Sequence, residues 1–233
     1  MTRFGIIAAM EVEAEQLKNS MGSLVASHHM STEFCSGALG GTEVVVVRSG
    51  IGKVNAALCA QVLISVFGVD YIVNTGIAGS LDTSIDIGDL VVSVDAVQHD
   101  MDATNFGYER GVVPQMPIDS FFCADERLRA CAVEAAKAVA PEVRTHEGRI
   151  LSGDRFVADE DDKNDIATAF GGLCCEMEGA AIAQACALNR VPFVIVRAVS
   201  DKADGSARVD YPVFEKEAAY RCAAVVRYMV EHF

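Results

Sequence analysis

The sequence has few positively charged residues: 19 Lys and Arg stand against 33 Asp and Glu, and the formal net charge at pH 7 is -14. A protein that binds a polyanion needs a basic surface, and no stripe of Lys and Arg interleaved with aromatic residues occurs along the chain. We therefore expect no binding to nucleic acid or to an anionic membrane. This charge favours a neutral or cationic small molecule as the partner.

The sequence also lacks apolar runs long enough to span a membrane and the regular cysteine spacing of a disulfide framework. The stretch 56–68 contains polar residues and is shorter than the roughly 20 apolar residues that a membrane span needs. The eight cysteines are scattered and include no Cys-x-x-Cys, a pattern typical of reduced thiols. The first residues lack the basic and apolar regions of a secretory signal. We expect a cytoplasmic protein with one domain over residues 1–233.

Short apolar runs alternate with helical patterns along the chain. The patterns predict strands at 5–9, 33–39, 42–48, 71–74, 89–95, 149–152, 173–177 and 193–199, and helices at 11–21, 53–67, 124–140, 160–170, 178–189 and about 212–230. This alternation predicts an α/β fold with three layers, in which helices flank a mixed, mostly parallel sheet. The stretch 98–122 has little periodicity and is too long for an ordinary connection, so it is a candidate for binding or subunit contact.

Two acidic segments follow apolar runs near the C-terminal end. Glu176-Met177-Glu178 follows the first run, and Arg197-Ala-Val-Ser-Asp201 belongs to the second. We expect both to emerge at the carboxyl ends of parallel strands, where open α/β sheets bind ligands. An aspartate there is partly desolvated, which raises its pKa and lets it donate a proton. The alternatives are that Asp201 is an ordinary loop or helix-capping residue and that Glu178 complements a helix dipole.

Three further segments carry glycine or acid at predicted junctions. The segment Ala9-Met10-Glu11-Val12-Glu13 places acids where a strand gives way to a helix, either as a solvated first turn or as part of a site. Gly50-Ile51-Gly52-Lys53 is not a phosphate loop, because no Ser or Thr follows the lysine. We interpret residues 76–80 as a tight glycine loop that lacks the dinucleotide-binding spacing. Glycine at both loops serves tight turns or shapes a pocket.

These segments, in this order, resemble the nucleoside phosphorylase and nucleosidase superfamily and, within it, the 5'-methylthioadenosine/S-adenosylhomocysteine nucleosidases. The resemblance also includes His99-Asp100 with the following Thr104-Asn105-Phe106-Gly107-Tyr108, and Ser152-Gly153-Asp154-Arg155-Phe156. It extends over essentially the whole chain. It implies a nucleoside phosphorylase-like fold, hydrolysis of the N-glycosidic bond of a 5'-modified adenosine nucleoside, no cofactor and no metal. It also implies a homodimer with an active site shared between subunits.

The resemblance assigns three catalytic roles. Asp201 is the general acid that protonates adenine at N7, Glu13 activates water, and Arg197 supports the water or the acid. Glu178 accepts hydrogen bonds from the two ribose hydroxyls. The other substrate contacts are Glu176 and Met177 beside the ribose, Phe156 stacked on adenine, the backbone of Val157 at the purine edge, Tyr211 over the alkylthio group, and Ile51, Ile77, Ala78, Gly79 and Ser200. Ala103, Phe106 and Pro114 are expected to come from the partner subunit, with His99 holding their loop.

One position departs from the family pattern. Ile77 stands where the best-known members have a serine beside the attacking water, so either Glu13 and Arg197 hold the water alone or the substrate preference has changed. Related phosphorylases carry an arginine-containing phosphate site near the N-terminus, and the only arginine near it here is Arg3. Hydrolysis is therefore favoured. The alternatives are a nucleosidase or phosphorylase for another 5'-modified nucleoside, such as aminodeoxyfutalosine, and a nucleoside-binding protein without catalysis.

Overall fold

The computed structural model of the chain describes residues 2–204 and 206–233. The elements of these residues, in chain order, are β1 (Arg3–Ala8), α1 (Glu11–Ser20), β2 (Gly22–His29), β3 (Thr32–Leu39), β4 (Thr42–Arg48), α2 (Lys53–Ser65), β5 (Tyr71–Ser80), β6 (Leu90–Gln98), β7 (Phe122–Cys123), α3 (Glu126–Val139), β8 (Thr145–Ser152), α4 (Glu160–Phe170), β9 (Cys174–Glu176), α5 (Gly179–Asn189), β10 (Phe193–Asp201) and α6 (Ala207–His232). Among these helices, none is both long and apolar enough to cross a membrane.

The strands form one mixed sheet in the order β10-β6-β8-β9-β5-β1-β4-β3-β2, with β7 beside β6. The parallel pairs are β1 with β4 and β5, β5 with β10, and β8 with β6 and β9. Strand β10 pairs with β5 as well as β6, so β10, β6, β8, β9 and β5 close into a ring. The predicted α/β class with a mixed sheet is confirmed.

Both faces of the sheet are covered by helices. On β4, Val44 and Val46 join one apolar cluster, which includes residues of α1, α3 and α6, whereas Val45 and Val47 join another, which includes residues of α2 and α5. Side chains of a strand alternate between faces, so near-continuous apolar runs are what a sheet buried on both sides requires. This arrangement accounts for the valine-rich strands of the sequence.

The predicted glycine loop at 76–80 is wrong, because these residues continue strand β5. Its backbone pairs with β10 from Gly76 to Ala78, and Gly79 pairs with Cys175 of β9. The glycines allow close approach here rather than a turn. A β-carbon added at Gly76 would lie 2.5 Å from Glu13 Oε1 and 2.6 Å from Arg197 Nη1.

Strand β2 and helix α6 also differ from the elements predicted from the sequence. Strand β2 was not predicted from the sequence, because it is an edge strand whose residues are mostly exposed and therefore show no apolar pattern. Helix α6 begins at Ala207, so Pro212 lies inside the helix rather than at its start. The irregular stretch 98–122 is confirmed, with a 3-10 turn at Thr104–Phe106 and the short β7 as its regular structure among the described residues.

Candidate active site

The acidic segments of the sequence border one cavity of about 110 Å³. Its lining residues are Ala9, Met10, Glu13, Ile51, Ile77, Ala78, Gly79, Phe156, Cys175, Glu176, Met177, Glu178, Ser200, Asp201 and Tyr211. Strand β9 is parallel to β8 but antiparallel to β5, whereas β10 is parallel to β5. Glu176 ends β9 and Asp201 ends β10, so both acidic segments lie, as expected, at the carboxyl ends of strands that have a parallel neighbour. Closure of the five-strand ring brings these two strand ends together.

Glu13 reaches the cavity from the first turn of α1. One carboxylate oxygen accepts hydrogen bonds of 2.8 Å from the amides of Ala9 and Met10, and the other accepts one of 3.2 Å from the amide of Ile77. Burial raises the pKa of Glu13, and Arg197 partly opposes this shift. A raised pKa makes an ionised carboxylate a stronger base, which suits Glu13 to accept a proton from water.

Arg197 lies behind the cavity in the middle of β10, where it is 1% exposed. Its Nη2 donates a hydrogen bond of 2.6 Å to Asn74 Oδ1 and pairs closely with Glu176 Oε2. Burial alone would lower the pKa of this arginine, but Glu176, Glu178 and Glu13 together raise it above its ordinary value. Arg197 therefore stays charged and balances the acids around it.

The carboxylate of Glu176 already accepts hydrogen bonds from several protein groups. Its carboxylate accepts the amide hydrogens of Glu178 and Gly179, where α5 begins, and a close hydrogen bond from the Ser152 hydroxyl. With Arg197 as its fourth partner, this carboxylate has little capacity left for a ligand. Glu176 lines the cavity as predicted, and its contacts indicate that it holds the site together.

The carboxylate of Glu178, two residues later, accepts only one hydrogen bond within the described residues. Its Oε1 accepts from the amide of Gly52 at 2.9 Å, and its Oε2 lies 3.8 Å from Arg197 Nη2. Burial and the neighbouring Glu176 raise the pKa of Glu178 to about 8. A buried carboxylate with spare acceptor capacity is suited to bind ligand hydroxyls.

Asp201 ends strand β10 and is 2% exposed. The Ser200 hydroxyl donates to Oδ2 and the Ala203 amide donates to Oδ1, both at 2.8 Å. Burial nevertheless raises the pKa of Asp201. A buried aspartate with a raised pKa holds a proton at higher pH than usual, as a general acid must.

Aromatic side chains cover the open side of the cavity. Phe156 is 51% exposed, and its ring packs edge-on against Tyr211 with 5.6 Å between the centroids. The Tyr211 hydroxyl lies 3.3 Å from Met10 Sδ and donates to Glu215 Oε1 at 3.2 Å. Val157 lines a smaller recess next to Phe156 that shares Gly79, Met177 and Asp201 with the cavity.

The structure brings most of the predicted site residues together around this cavity, with Arg197 behind its wall and Val157 in the adjoining recess. The residues expected from the partner subunit lie elsewhere on their own chain. Phe106 is 85% exposed on the 3-10 turn, and neither Ala103 nor Pro114 lines the cavity. Their predicted contribution to a second copy stays a prediction.

The side chain of His99 does not hold the irregular stretch by hydrogen bonds, because its Nε2 is buried and has no partner among the described residues. Lys53 does so instead, since its Nζ donates to Asp100 Oδ1 at 2.6 Å and to Gln98 Oε1 at 2.9 Å. The other oxygen of Asp100 accepts the amide hydrogen of Asp154, two residues before Phe156. These hydrogen bonds connect the beginning of the irregular stretch to the segment that contains Phe156, which lines the cavity.

Sequence reasoning missed several residues of the site. Cys175, Ala9 and Met10 line the cavity, and Ser152 and Asn74 hold the acids from behind. Cys175 has a sequence signal, because it directly precedes the acidic segment Glu176-Met177-Glu178. Asn74 and Ser152 carry no comparable signal, since their partners are 123 and 24 residues away in the sequence.

Comparisons with known proteins agree with this geometry. The Phosphorylase superfamily pattern matches residues 3–231. The chain is 44% identical to a 5'-methylthioadenosine/S-adenosylhomocysteine nucleosidase of Halalkalibacterium halodurans, over 97% of this chain and 96% of that protein. A Neisseria meningitidis enzyme of the same name, in complex with methylthio-immucillin-A, superposes with a TM-score of 0.95 at 38% identity over the full length of both chains. Futalosine hydrolase of Helicobacter pylori superposes with a TM-score of 0.94 at 32% identity, over 100% of this chain and 98% of that one.

Proposed function

The chain belongs to the phosphorylase superfamily and, within it, to the 5'-methylthioadenosine/S-adenosylhomocysteine nucleosidases, and from this membership we propose how its cavity performs the reaction. The protein is an N-glycosyl hydrolase that cleaves 5'-methylthioadenosine and S-adenosylhomocysteine into adenine and the matching thioribose. The observation that carries the mechanism is the convergence of Asp201, Glu178 and Glu13 on one cavity.

Asp201 acts first, as the general acid. Its protonated carboxyl donates a proton to N7 of adenine as the bond between the base and C1' of the ribose breaks. The base then leaves neutral rather than as an anion, which lowers the barrier to cleavage. The raised pKa and deep burial of Asp201 support this role.

Glu178 and Glu13 act on the sugar side. Glu178 accepts hydrogen bonds from the ribose hydroxyls with the oxygen that the Gly52 amide leaves free. Glu13 takes a proton from water, and the oxygen of that water forms the new bond to C1'. The negative charge of the ionised Glu13 carboxylate also stabilises the positive charge that develops on the ribose in an oxocarbenium-like transition state.

Hydrolysis rather than phosphorolysis is supported by the charges around the cavity. No Lys or Arg is among the described residues that line it, and Arg197 behind it already contacts Glu176 and Asn74. Arg3, the arginine nearest to the N-terminal acids in the sequence, instead contacts Glu43 and the Phe67 carbonyl. A phosphate ion would meet carboxylates here without a free cation to balance it.

We further propose a homodimer in which the apolar surface around α2 and α5 faces a second copy. Val54, Leu58 and Leu188 are exposed there, and Phe106 is exposed on the irregular stretch. Exposed apolar patches mark interaction sites. Light scattering after size-exclusion chromatography tests this proposal: Leu58→Asp should yield monomers, and a dimer that persists would argue against this surface.

We also propose that the protein acts in the cytoplasm, because its cysteines are free and free thiols persist in a reducing compartment. Methionine salvage would use this reaction there.

The test of the function is adenine release from 5'-methylthioadenosine, S-adenosylhomocysteine, 5'-deoxyadenosine, aminodeoxyfutalosine and inosine, with and without phosphate. Release from the two thio-nucleosides that does not depend on phosphate is expected. A second candidate, hydrolysis of a futalosine-type nucleoside, has support in the likeness to futalosine hydrolase. Faster turnover of aminodeoxyfutalosine would favour that candidate. Adenine binding without turnover of any nucleoside would point to a binding protein.

A further inference from the structure

Lys163 is a buried lysine outside the cavity. It lies in the first turn of α4, yet only 7% of it is exposed. A cation near a helix N-terminus is unfavourable because of the helix dipole, and burial of an ammonium group is costly unless it is paired. Other contacts must therefore offset the cost of burying the Lys163 ammonium group at this position, and the partners in these contacts indicate what Lys163 does.

The contacts of Lys163 are with the turn that follows Asp201. Its Nζ donates a hydrogen bond of 2.7 Å to the carbonyl oxygen of Lys202, and it lies 3.8 Å from Asp204 Oδ2. Lys163 and Lys202 are 39 residues apart in the sequence. Helix α4 is thereby joined directly to the segment that carries Asp201.

That turn holds an unfavourable backbone conformation. Ala203, buried and not glycine, has a φ of 52°, in the left-handed region that residues other than glycine rarely adopt. In this conformation its amide donates to Asp201 Oδ1 at 2.8 Å. The orientation of Asp201 therefore depends on a turn that would relax if nothing held it.

We propose that Lys163 is a positioning residue for the catalytic acid: by binding the Lys202 carbonyl it keeps the turn at Ala203 in the conformation that orients Asp201. Lys163 does not touch the substrate, and it acts through Asp201 alone. The inference rests on the proposed function, because it assumes that Asp201 is the general acid.

The test replaces the ammonium group. Lys163→Met is expected to lower kcat on 5'-methylthioadenosine by about 100-fold, since a displacement of about 1 Å in a catalytic group has this effect, while KM changes less than about threefold. Lys163→Arg keeps a donor and should restore part of kcat. Asp204→Asn is the matched control, because it removes the distant ion pair but leaves the bond to the Lys202 carbonyl, and its kcat should stay within about twofold of the parent.

A second measurement does not depend on activity. Hydrogen exchange of the backbone amides in the segment 201–204 should be faster in Lys163→Met than in the parent, with exchange elsewhere unchanged. Lys163→Gln serves if the methionine variant does not fold. An unchanged kcat in an active enzyme, or unchanged exchange in this segment, would overturn the inference. An inactive parent whose exchange still responds to the substitution would instead refute the proposed function.

Discussion

Arg197 and Glu176 form an ion pair in the interior of the protein, where their side chains are 1% and 3% exposed. The pair connects two parts of the ring, because Arg197 belongs to β10 and Glu176 ends β9. Glu176 also binds the first amides of α5, so one carboxylate fixes the helix and the arginine together. Glu178 is consequently left with acceptor capacity for a ligand.

Loss of this pair should destabilise the fold. Glu176→Gln leaves a buried arginine without its main counter-charge, so we expect the free energy of unfolding to fall by about 3 kcal/mol. Glu147→Gln is the control, since Glu147 pairs with Arg129 at a partly exposed site and should cost less than about 1 kcal/mol. Denaturant titration of both variants checks the difference, and equal losses would contradict the structural role of Glu176.

The general acid can be tested without disturbing the fold. Asp201→Asn keeps the size of the side chain but cannot supply the proton, so kcat should fall by at least about 100-fold. Asp165→Asn removes a partner of Arg110 at the surface and should leave kcat unchanged. Adenine release gives the rates, and thermal unfolding shows whether the variant is folded. Retained activity in folded Asp201→Asn would refute the assignment.

Glu13 has a matched neighbour in the same helical turn. Glu13→Gln can still accept amide hydrogen bonds but cannot take a proton from water, so kcat should fall about 100-fold or more. Glu11→Gln, in which the altered carboxylate is exposed and bound to Lys18, should leave the rate within about twofold. Steady-state kinetics of the two variants decide this point. A similar loss in both would indicate that the charge of α1 matters rather than proton transfer.

Much of the site could be predicted because acids at the ends of apolar runs are visible in a sequence. The pattern made Glu178 and Asp201 candidates, whereas the family resemblance selected Glu13 over Glu11 and implied the roles of all three. The structural role of Glu176 could not be predicted, because it depends on contacts with Ser152 on the neighbouring strand β8 and with Arg197 on β10.

Glycine was the chief source of error in the fold prediction. The segment 76–80 has the composition of a turn, but here its backbone belongs to a strand. A β-carbon at Gly79 would lie 2.8 Å from both Asp201 Oδ1 and the Ala203 β-carbon. Composition alone does not distinguish a glycine that turns the chain from one that lets side chains approach the backbone.

Glu178 should make stability depend on pH. Because its pKa is raised from 4.5 to about 8, the folded protein retains a proton that the unfolded chain releases. Raising the pH through this window therefore favours the unfolded state, and the stability contributed by the neutral form is lost. Glu178→Gln should show a smaller decrease in the free energy of unfolding between about pH 5 and pH 8 than the parent or Glu15→Gln, an exposed control. Identical pH profiles would contradict the raised pKa.

Tyr211 is expected to influence which 5'-substituent is preferred. Its hydroxyl contacts Met10 and Glu215 at the side of the cavity where the resemblance places the alkylthio group. A polar hydroxyl and a carboxylate favour a tail that can donate hydrogen bonds, such as the amino acid tail of S-adenosylhomocysteine, over a methyl group. Loss of one such hydrogen bond costs about 1 kcal/mol, or about fivefold in kcat/KM.

Tyr211→Phe should therefore lower kcat/KM for S-adenosylhomocysteine about fivefold and leave that for 5'-methylthioadenosine within about twofold. Glu215→Gln, which keeps an acceptor but removes the negative charge, separates the two contributions. If Glu215→Gln behaves like the parent enzyme, the Tyr211 hydroxyl alone discriminates between the two tails. If Glu215→Gln lowers kcat/KM for S-adenosylhomocysteine only, the preference comes from attraction between the Glu215 carboxylate and the ammonium group of that substrate. No loss on either substrate in Tyr211→Phe would mean that the ring only packs against Phe156, and an equal loss on both would contradict the predicted discrimination between the tails.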